Sequence, residues 1–555
     1  MGFLKSLNDF IVLDESNSMQ NKDIVPIPIN RRRWKYFGYI SYWGINSLCA
    51  VTWSAGSSLL SIGLNGSQTM GIVVVANLLI SAAAILNSMY GSEYHIGYSV
   101  FQRVVFGIRG SVFGILIRVL LSVVWFASQA WLGGLCVNIV LSSWSRAYLN
   151  MENTFPDSVK MTSQELCGFV IYLVITVPFL MIPPEFYDYF LACGSTAIFF
   201  VGMGITIWAV KDNNNSYGTL MNAAVTLSSS EKGWAWMYGI NSWYSSLVAG
   251  ISNQSDYSRF NTKPRHSYIG TIVGTNVTGF IVPLYGIITC SAMLEKYGEE
   301  FWTPDSICMF WLQQNYSSKA RAGAFFCGLG LVFSQLSINC VGNGISGGMD
   351  LSAIFPRYIN IKRGAMIILI LSWPTQPWLF YNSSSTFITV MSSFSVFITP
   401  LVAIYMLEYL VLRKRILRLS DCYINSSKSI YWYTAGFNWR PMVAFVCGCA
   451  PGLPGLINAA NPDITISDGI LHFFQGSFIF QFAVTAVLYY AICSVFKNNF
   501  KVGEKDAIDY FNTFDAEECI KWNLIPYDGQ VFDGEPSEET SLVELEAKLS
   551  KQSPA

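Results

Sequence analysis

"SQLSINCVGNGISGGMD", Ser334–Asp350, lies in an apolar run yet carries Gln335, Ser337, Asn339, Asn343 and Ser346. Residues four apart share a helix face, so Gln335 aligns with Asn339, and Asn339 with Asn343. An amide left unsatisfied in hydrocarbon costs roughly 2–7 kcal/mol. The stripe therefore faces a cavity or a polar partner. The run reads as one helix of a membrane bundle with a polar interior.

The sequence around it fits such a bundle. Of 555 residues, 52% are hydrophobic and only 12% charged, about half the charged fraction usual in soluble domains. Apolar runs long enough to span recur near 37–62, 69–90, 111–143, 165–183, 188–210, 234–254, 268–292, 322–346, 364–381, 386–411, 441–460 and 472–496. These twelve spans predict an all-α polytopic membrane protein seated in the lipid bilayer. A tail over residues 1–35 precedes a transmembrane region over 36–497, and a tail over 498–555 follows it. The second tail, ending in "DGEPSEETSLVELEAKLSKQSPA", is expected to stay solvated, with at most a short amphipathic segment.

Basic residues alternate between loops. Arg31–Arg33 and Lys35, Arg103 and Arg109, Arg259 to Arg265, Arg357 to Arg363, Arg413 to Arg418, and Lys497 to Lys501 all fall on one side. By the positive-inside rule both termini are cytoplasmic. Glycosylation sequons at Asn65, Asn214, Asn315 and Asn382 fall on the opposite side, whereas that at Asn253 does not. "MGFLKSLNDFIVLDESNS" lacks the features of a cleavable signal peptide, while Gly2 and Ser6 match a myristoylation pattern.

The net charge of −1 excludes a nucleic-acid surface. Three histidines and thirteen scattered cysteines provide no metal-ligand spacing, so no metal site is expected. Walker A, G-x-S-x-G and HExxH motifs are absent. The chain is therefore read as no enzyme, without a cofactor, and any transport is secondary.

Two spans carry small and polar residues in their middles. "YWGINSLCAVTWSAGSSLLSIG" does so in the first span and "NSWYSSLVAGISNQSDYSRF" in the sixth. Matching positions in two five-helix halves would make these unwound segments at a midplane site. Close helix packing through small residues explains them equally. In the third span, Trp125 and Gln129 share a face, as would suit an indole stacking on a ring and an amide reading its edge. Packing against neighbouring helices is the alternative.

Embedded charges are few. Arg118 is expected to snorkel towards the inner surface. Asp256 and Arg259, in "DYSR", fit an intracellular gate or local salt bridge. Glu408 is placed to pair with the basic loop after it. With no carboxylate near the middle of the first, third, sixth or eighth span, no obvious proton relay is visible.

"NKDIVPIPINRRRW", "NQSDYSRF" and "INCVGNGISGGMDLSAIFPRYINIKRGA" resemble fungal members of nucleobase–cation symporter family 1, the uracil, uridine and allantoin permease branch. "ARAGAFFCGL", "FYNSSSTFITVMSSF" and "NWRPMVAFVCGCAPGLPG" are similar, more narrowly, to thiamine and nicotinamide riboside transporters. The resemblance implies a LeuT-like inverted repeat of five plus five helices followed by two more. It implies a heterocycle bound by Trp125, Gln129 and Asn343, with Asn339 beside them. An aromatic expected in the sixth span falls on Leu247, leaving Trp243 or Tyr244 as candidate stacking surfaces. Phe394 is implied at the outer gate, and Asp256 and Arg259 at the inner one. Positions that ligate sodium in bacterial relatives fall on Ser337 and Ile338, and isoleucine cannot ligate, which favours a proton gradient as driving force. The resemblance further implies a plasma-membrane importer of thiamine or nicotinamide riboside, with ubiquitin-ligase adaptors as partners of the tails. A nucleobase or nucleoside permease is the alternative, and a non-transporting nutrient sensor a further one.

Overall fold

The computed structural model describes residues 12–13, 16–156, 158–497, 500–527, 529 and 532. Gly2 and Ser6 lie outside them. Among the described residues the chain is helical throughout, with isolated β-bridges and no strand.

The first span comprises α1 (Tyr36–Ser47) and α2 (Ala50–Ser58). Then come α3 (Gly66–Tyr94), the short helix α4 (Tyr98–Phe106), α5 (Ser111–Trp144), α6 (Ser163–Leu180) and α7 (Asp188–Asp212). The second half opens with α8 (Ser229–Ser258), then α9 (Pro264–Thr278) with α10 (Ile281–Tyr297), and α11 (Pro304–Gln314). The eighth span is α12 (Ser318–Ile338), a π-helical segment Asn339–Ile345, and α13 (Ser346–Ile354). It is followed by α14 (Ile361–Leu371), α15 (Ser384–Met406), α16 (Trp439–Cys449), α17 (Leu453–Ala460), α18 (Asp468–Gln475), α19 (Ser477–Val495) and α20 (Ala516–Trp522).

Helix starts follow local chemistry. Asn65 accepts from the Gln68 amide at the head of α3, and capping boxes Thr162/Glu165 and Ser228/Glu231 open α6 and α8. Among the described residues nine helices are long and apolar enough to cross a membrane. The remaining predicted spans fall on the broken α1–α2 pair, on the more polar α8, and on short α14 with the 3-10 turns after it.

Packing relates the halves. The first span lies against α7, α9 and α10, whereas the sixth lies against α15 and α3. The third packs on α6 and α12, and the eighth on α14 and α5. Exchanging first for sixth, second for seventh and so on interchanges these pairs, as a five-plus-five repeat requires. Helices α16 and α19 pack together, with α19 also against α15.

The C-terminal tail departs from expectation. Residues 500–527 dock beneath the bundle rather than staying solvated. Arg32 donates to the Thr513 carbonyl (2.9 Å) and to Glu518 (2.7 Å). Phe511 packs on Tyr423, and Trp522 on Tyr94. Burial alone would raise the Glu518 carboxyl, but the neighbouring His95 ring (3.9 Å) and the hydrogen bonds from Arg32 hold it down at about 2. The aromatic residues supply apolar area that a plain polar tail would lack.

Candidate substrate site

The first span breaks at Leu48–Cys49, where the backbone leaves helical geometry (φ −104°, ψ 69° and φ −144°, ψ 165°). Side chains take up the groups the break frees. Gln335 Oε1 accepts from Ala50 N (3.2 Å), Ser334 Oγ donates to the Leu48 carbonyl (3.3 Å), and Thr52 Oγ1 donates to the Asn46 carbonyl (3.0 Å). The sixth span does not break, because α8 runs continuously over thirty residues. Its Ser246 and Ser252 hydroxyls bond to carbonyls of their own helix. The irregular partner of the first span is instead the eighth. A π-helical turn leaves carbonyls without their usual i+4 donors. Asn253 Nδ2 donates to Gly342 O (2.7 Å) and Tyr257 OH to Val341 O (2.6 Å).

Between these spans lies a cavity lined by Asn46, Trp125, Gln129, Leu247, Asn253 and Asn343 among others, with no charged residue on its wall. Its free volume is about 30 Å³, the room of one water, where a small-molecule site needs about 300 Å³ or more. A ring enters only after the walls part.

The wall is chemically specific. Trp125 lies against Phe394, ring centroids 5.1 Å apart, and its buried Nε1–H has no partner among the described residues. Gln129 Oε1 accepts from Gln335 Nε2 (2.7 Å), the same side chain that satisfies Ala50, so a relay links the third span to the break in the first. Asn343 Nδ2 donates to Asn339 Oδ1 (3.0 Å), and Asn339 Nδ2 to the Phe126 carbonyl (3.2 Å). Asn339 thus positions Asn343 without lining the cavity. Trp243 and Tyr244 lie off the cavity: Trp243 donates to Asn77 (2.9 Å), and Tyr244 faces Phe478. Leu247 occupies the sixth-span wall.

Beneath the cavity is a group that periodicity alone did not assemble. Arg118 stands seven residues before Trp125 on the same face of α5. It is buried rather than snorkelling. Its Nε and Nη2 donate to Asp350 (2.5 Å each), Nη2 also donates to Asp256 (2.5 Å), and the guanidinium sits 3.8 Å from the Tyr98 ring centroid. Asp256 therefore pairs with Arg118. Arg259 donates to the Asp256 and Asp23 backbone carbonyls instead. The middles of the third, sixth and eighth spans carry no carboxylate, as expected, and the cluster gathers Asp256 and Asp350 from the ends of the sixth and eighth around the third. Asp350 lies four residues past the apolar run that ended at 346, and its signal was its place on the Asn343 face.

Comparison with known proteins places this geometry. Residues 26–480 match the family described as permeases for cytosine/purines, uracil, thiamine and allantoin. The chain belongs to that permease family. It is a multi-pass membrane transporter rather than an enzyme. The permease is 40% identical to the thiamine transporter THI72 of Saccharomyces cerevisiae over 92% of this chain and 85% of that one. It is 40% identical to the nicotinamide riboside transporter 1 of the same yeast over the same shares. Its uracil permease is 28% identical over 88% of this chain and 79% of that one. In fold, the permease is similar to Mhp1, a nucleobase-cation-symport-1 family transporter, closed with bromovinylhydantoin bound (TM-score 0.70, 18% identity, 87% and 97% covered). It is also similar to inward-facing Mhp1 (TM-score 0.65, 19% identity, 88% and 97% covered). The fold is thus the inverted-repeat one expected. Elsewhere in the permease, Glu408 pairs with Arg413 of the following loop (2.7 Å), as anticipated.

Proposed function

We propose that this permease is a plasma-membrane proton symporter that imports thiamine or nicotinamide riboside, with both termini cytoplasmic. The observation that carries this reading is the 40% identity to transporters of those two vitamins over 92% of the chain, against 28% for the uracil permease.

In this reading the substrate ring inserts where Trp125 and Phe394 now touch. Trp125 supplies a stacking face, while Gln129 and Asn343 read the ring edge. Phe394 closes the outer side and the Arg118 cluster the inner side, with Asp256 in the gate and Arg259 fastening it to the N-terminal segment. The Arg118 guanidinium bonds both carboxylates, and the buried Arg259 lies beside Asp256, so the cluster ties the third span to the sixth and the eighth. Protonation of Asp350 weakens its bond to Arg118 and frees the third span from the eighth at their inner ends. A proton rather than sodium is supported by Ile338, whose side chain cannot ligate.

The uncharged wall also suits a neutral ring, so a uracil-type substrate is the second reading. Labelled thiamine or nicotinamide riboside should enter cells expressing the chain, and a protonophore should stop entry. Saturable uracil uptake without either vitamin transfers the assignment to the nucleobase branch. Trp125→Ala and Asn343→Ala should each raise KM at least tenfold or abolish uptake at unchanged surface level. Asp350→Asn should uncouple uptake from the proton gradient. Binding of ubiquitin-ligase adaptors to the tails belongs to the same reading, and truncation after residue 532 should then slow turnover in a pulse-chase.

A further inference from the structure

A second cavity, a groove of about 690 Å³ open to solvent with Glu231 and Asp468 exposed on its rim, lies at the outer end of the bundle between the first turns of α8, the start of α15, the end of the first span and α18. Its walls differ from those of the central site. Glu231, Trp234 and Tyr238 are spaced three and four apart, so one face of α8 presents a carboxylate and two rings in succession. Across from them α18 contributes Asp468 and His472, and the His472 ring stacks on Trp234 (centroids 4.0 Å apart, planes 3° apart). Glu231 uses one oxygen to cap α8, accepting from Ser228 N (2.9 Å). Among the described residues neither Glu231 nor Asp468 forms an ion pair.

Charge along the route of entry is therefore uneven. The central cavity has no charged wall residue, and the two carboxylates below it are held by Arg118. The outer cavity combines uncompensated negative charge with aromatic faces, a pairing that attracts a cationic ring by Coulomb and cation–π terms. It shares α8 with the central site. Tyr238 lies eight residues before Ser246 of the central wall, roughly 12 Å along the helix at 1.5 Å per residue.

We propose that this outer cavity is an antechamber that captures a positively charged heteroaromatic solute before it reaches Trp125, and that selection of cationic over neutral rings is made here. The ligand class rests on the function proposed above. A ring lies against the indole of Trp234 or the phenol of Tyr238, with its fixed charge between Glu231 and Asp468. The central site then reads ring shape and edge, a task its neutral amides suit.

The test is uptake by the full chain in cells lacking other transporters for these vitamins. Glu231→Gln with Asp468→Asn should raise KM for nicotinamide riboside or thiamine five- to tenfold, with the maximal rate retained. The difference should shrink at high ionic strength. Competition by dihydronicotinamide riboside, which has the same shape without the charge, should not change. An unchanged KM, or an equal shift for the neutral competitor, overturns the proposal. Equilibrium binding separates it from the substrate reading: purified Trp125→Ala protein should retain weak, salt-sensitive binding of labelled thiamine that the two carboxylate substitutions remove. That binding without wild-type uptake of either vitamin sinks the substrate assignment and leaves the antechamber standing. Uptake without that binding does the reverse.

Discussion

The first and sixth spans hold equivalent places in the two halves and are similarly rich in glycine, serine and asparagine, yet one breaks and the other does not. Opening a helix in a membrane frees amides and carbonyls that only the protein can satisfy. At Leu48–Cys49 the partners are present: Gln335, Ser334 and Thr52 each take one freed group. Along α8 the equivalent side chains are already committed elsewhere, one as a donor and one as an acceptor. Asn253 serves the π-helical turn of the eighth span, and Asp256 serves Arg118. The irregularity that symmetry would place in the sixth span is carried by the eighth. A helix breaks where its neighbours can complete it, and its own composition only permits the break.

The largest effect is expected at the inner anchor of the unbroken span. Arg118→Leu strands Asp256 and Asp350, at about 3–5 kcal/mol for a buried charge losing its partner. Surface protein and thermal stability in detergent should fall sharply, with uptake lost. Adding Asp256→Asn and Asp350→Asn should recover stability without restoring coupled uptake. If the single variant is stable, α8 is not held straight by this cluster.

Gln335→Leu attacks the broken span. It leaves Ala50 N–H and Gln129 Oε1 unpaired, costing about 1–3 kcal/mol, and hydrogen exchange should accelerate at residues 48–52 while α8 stays protected. Asn253→Ala is the converse test. Loss of its bond to Gly342 should raise exchange over 339–345 at a cost of about 1–2 kcal/mol, and exchange confined to α8 would contradict the division described.

The smallest effect is the most discriminating. A Cβ at Gly250 would meet the Trp43 ring at 3.3 Å, and alanine favours a helix interior by about 0.5–1 kcal/mol over glycine. Gly250→Ala should keep stability within about 0.5 kcal/mol and uptake near wild type. Gly250 also lines the central cavity, so normal stability with lost uptake would show that this stretch of the sixth span has no room for a methyl or must open during transport.

Much of this was legible from periodicity. The Gln335–Asn339–Asn343 stripe and the Trp125–Gln129 face sit where four-residue spacing places them, and the predicted spans match the helices closely. Trp243 and Tyr244 were named because an aromatic was wanted near Leu247, but their turn of α8 faces Asn77 and Phe478. Arg118 read as a snorkelling side chain because Asp256 and Asp350 lie 138 and 232 residues away in sequence. The docked tail was missed for a like reason, since Arg32 and Glu518 are 486 residues apart.

What the sequence alone determined is whatever depends on neighbours within a turn or two: which segments cross, where capping residues begin them, and which polar groups share a face. The tertiary structure decided which glycine-rich span breaks, what each buried amide and carboxylate bonds to, and where charge remains uncompensated. The reason is solvation. In hydrocarbon no water stands ready to satisfy a stray polar group, so each one's state is set by partners that packing brings from distant parts of the chain.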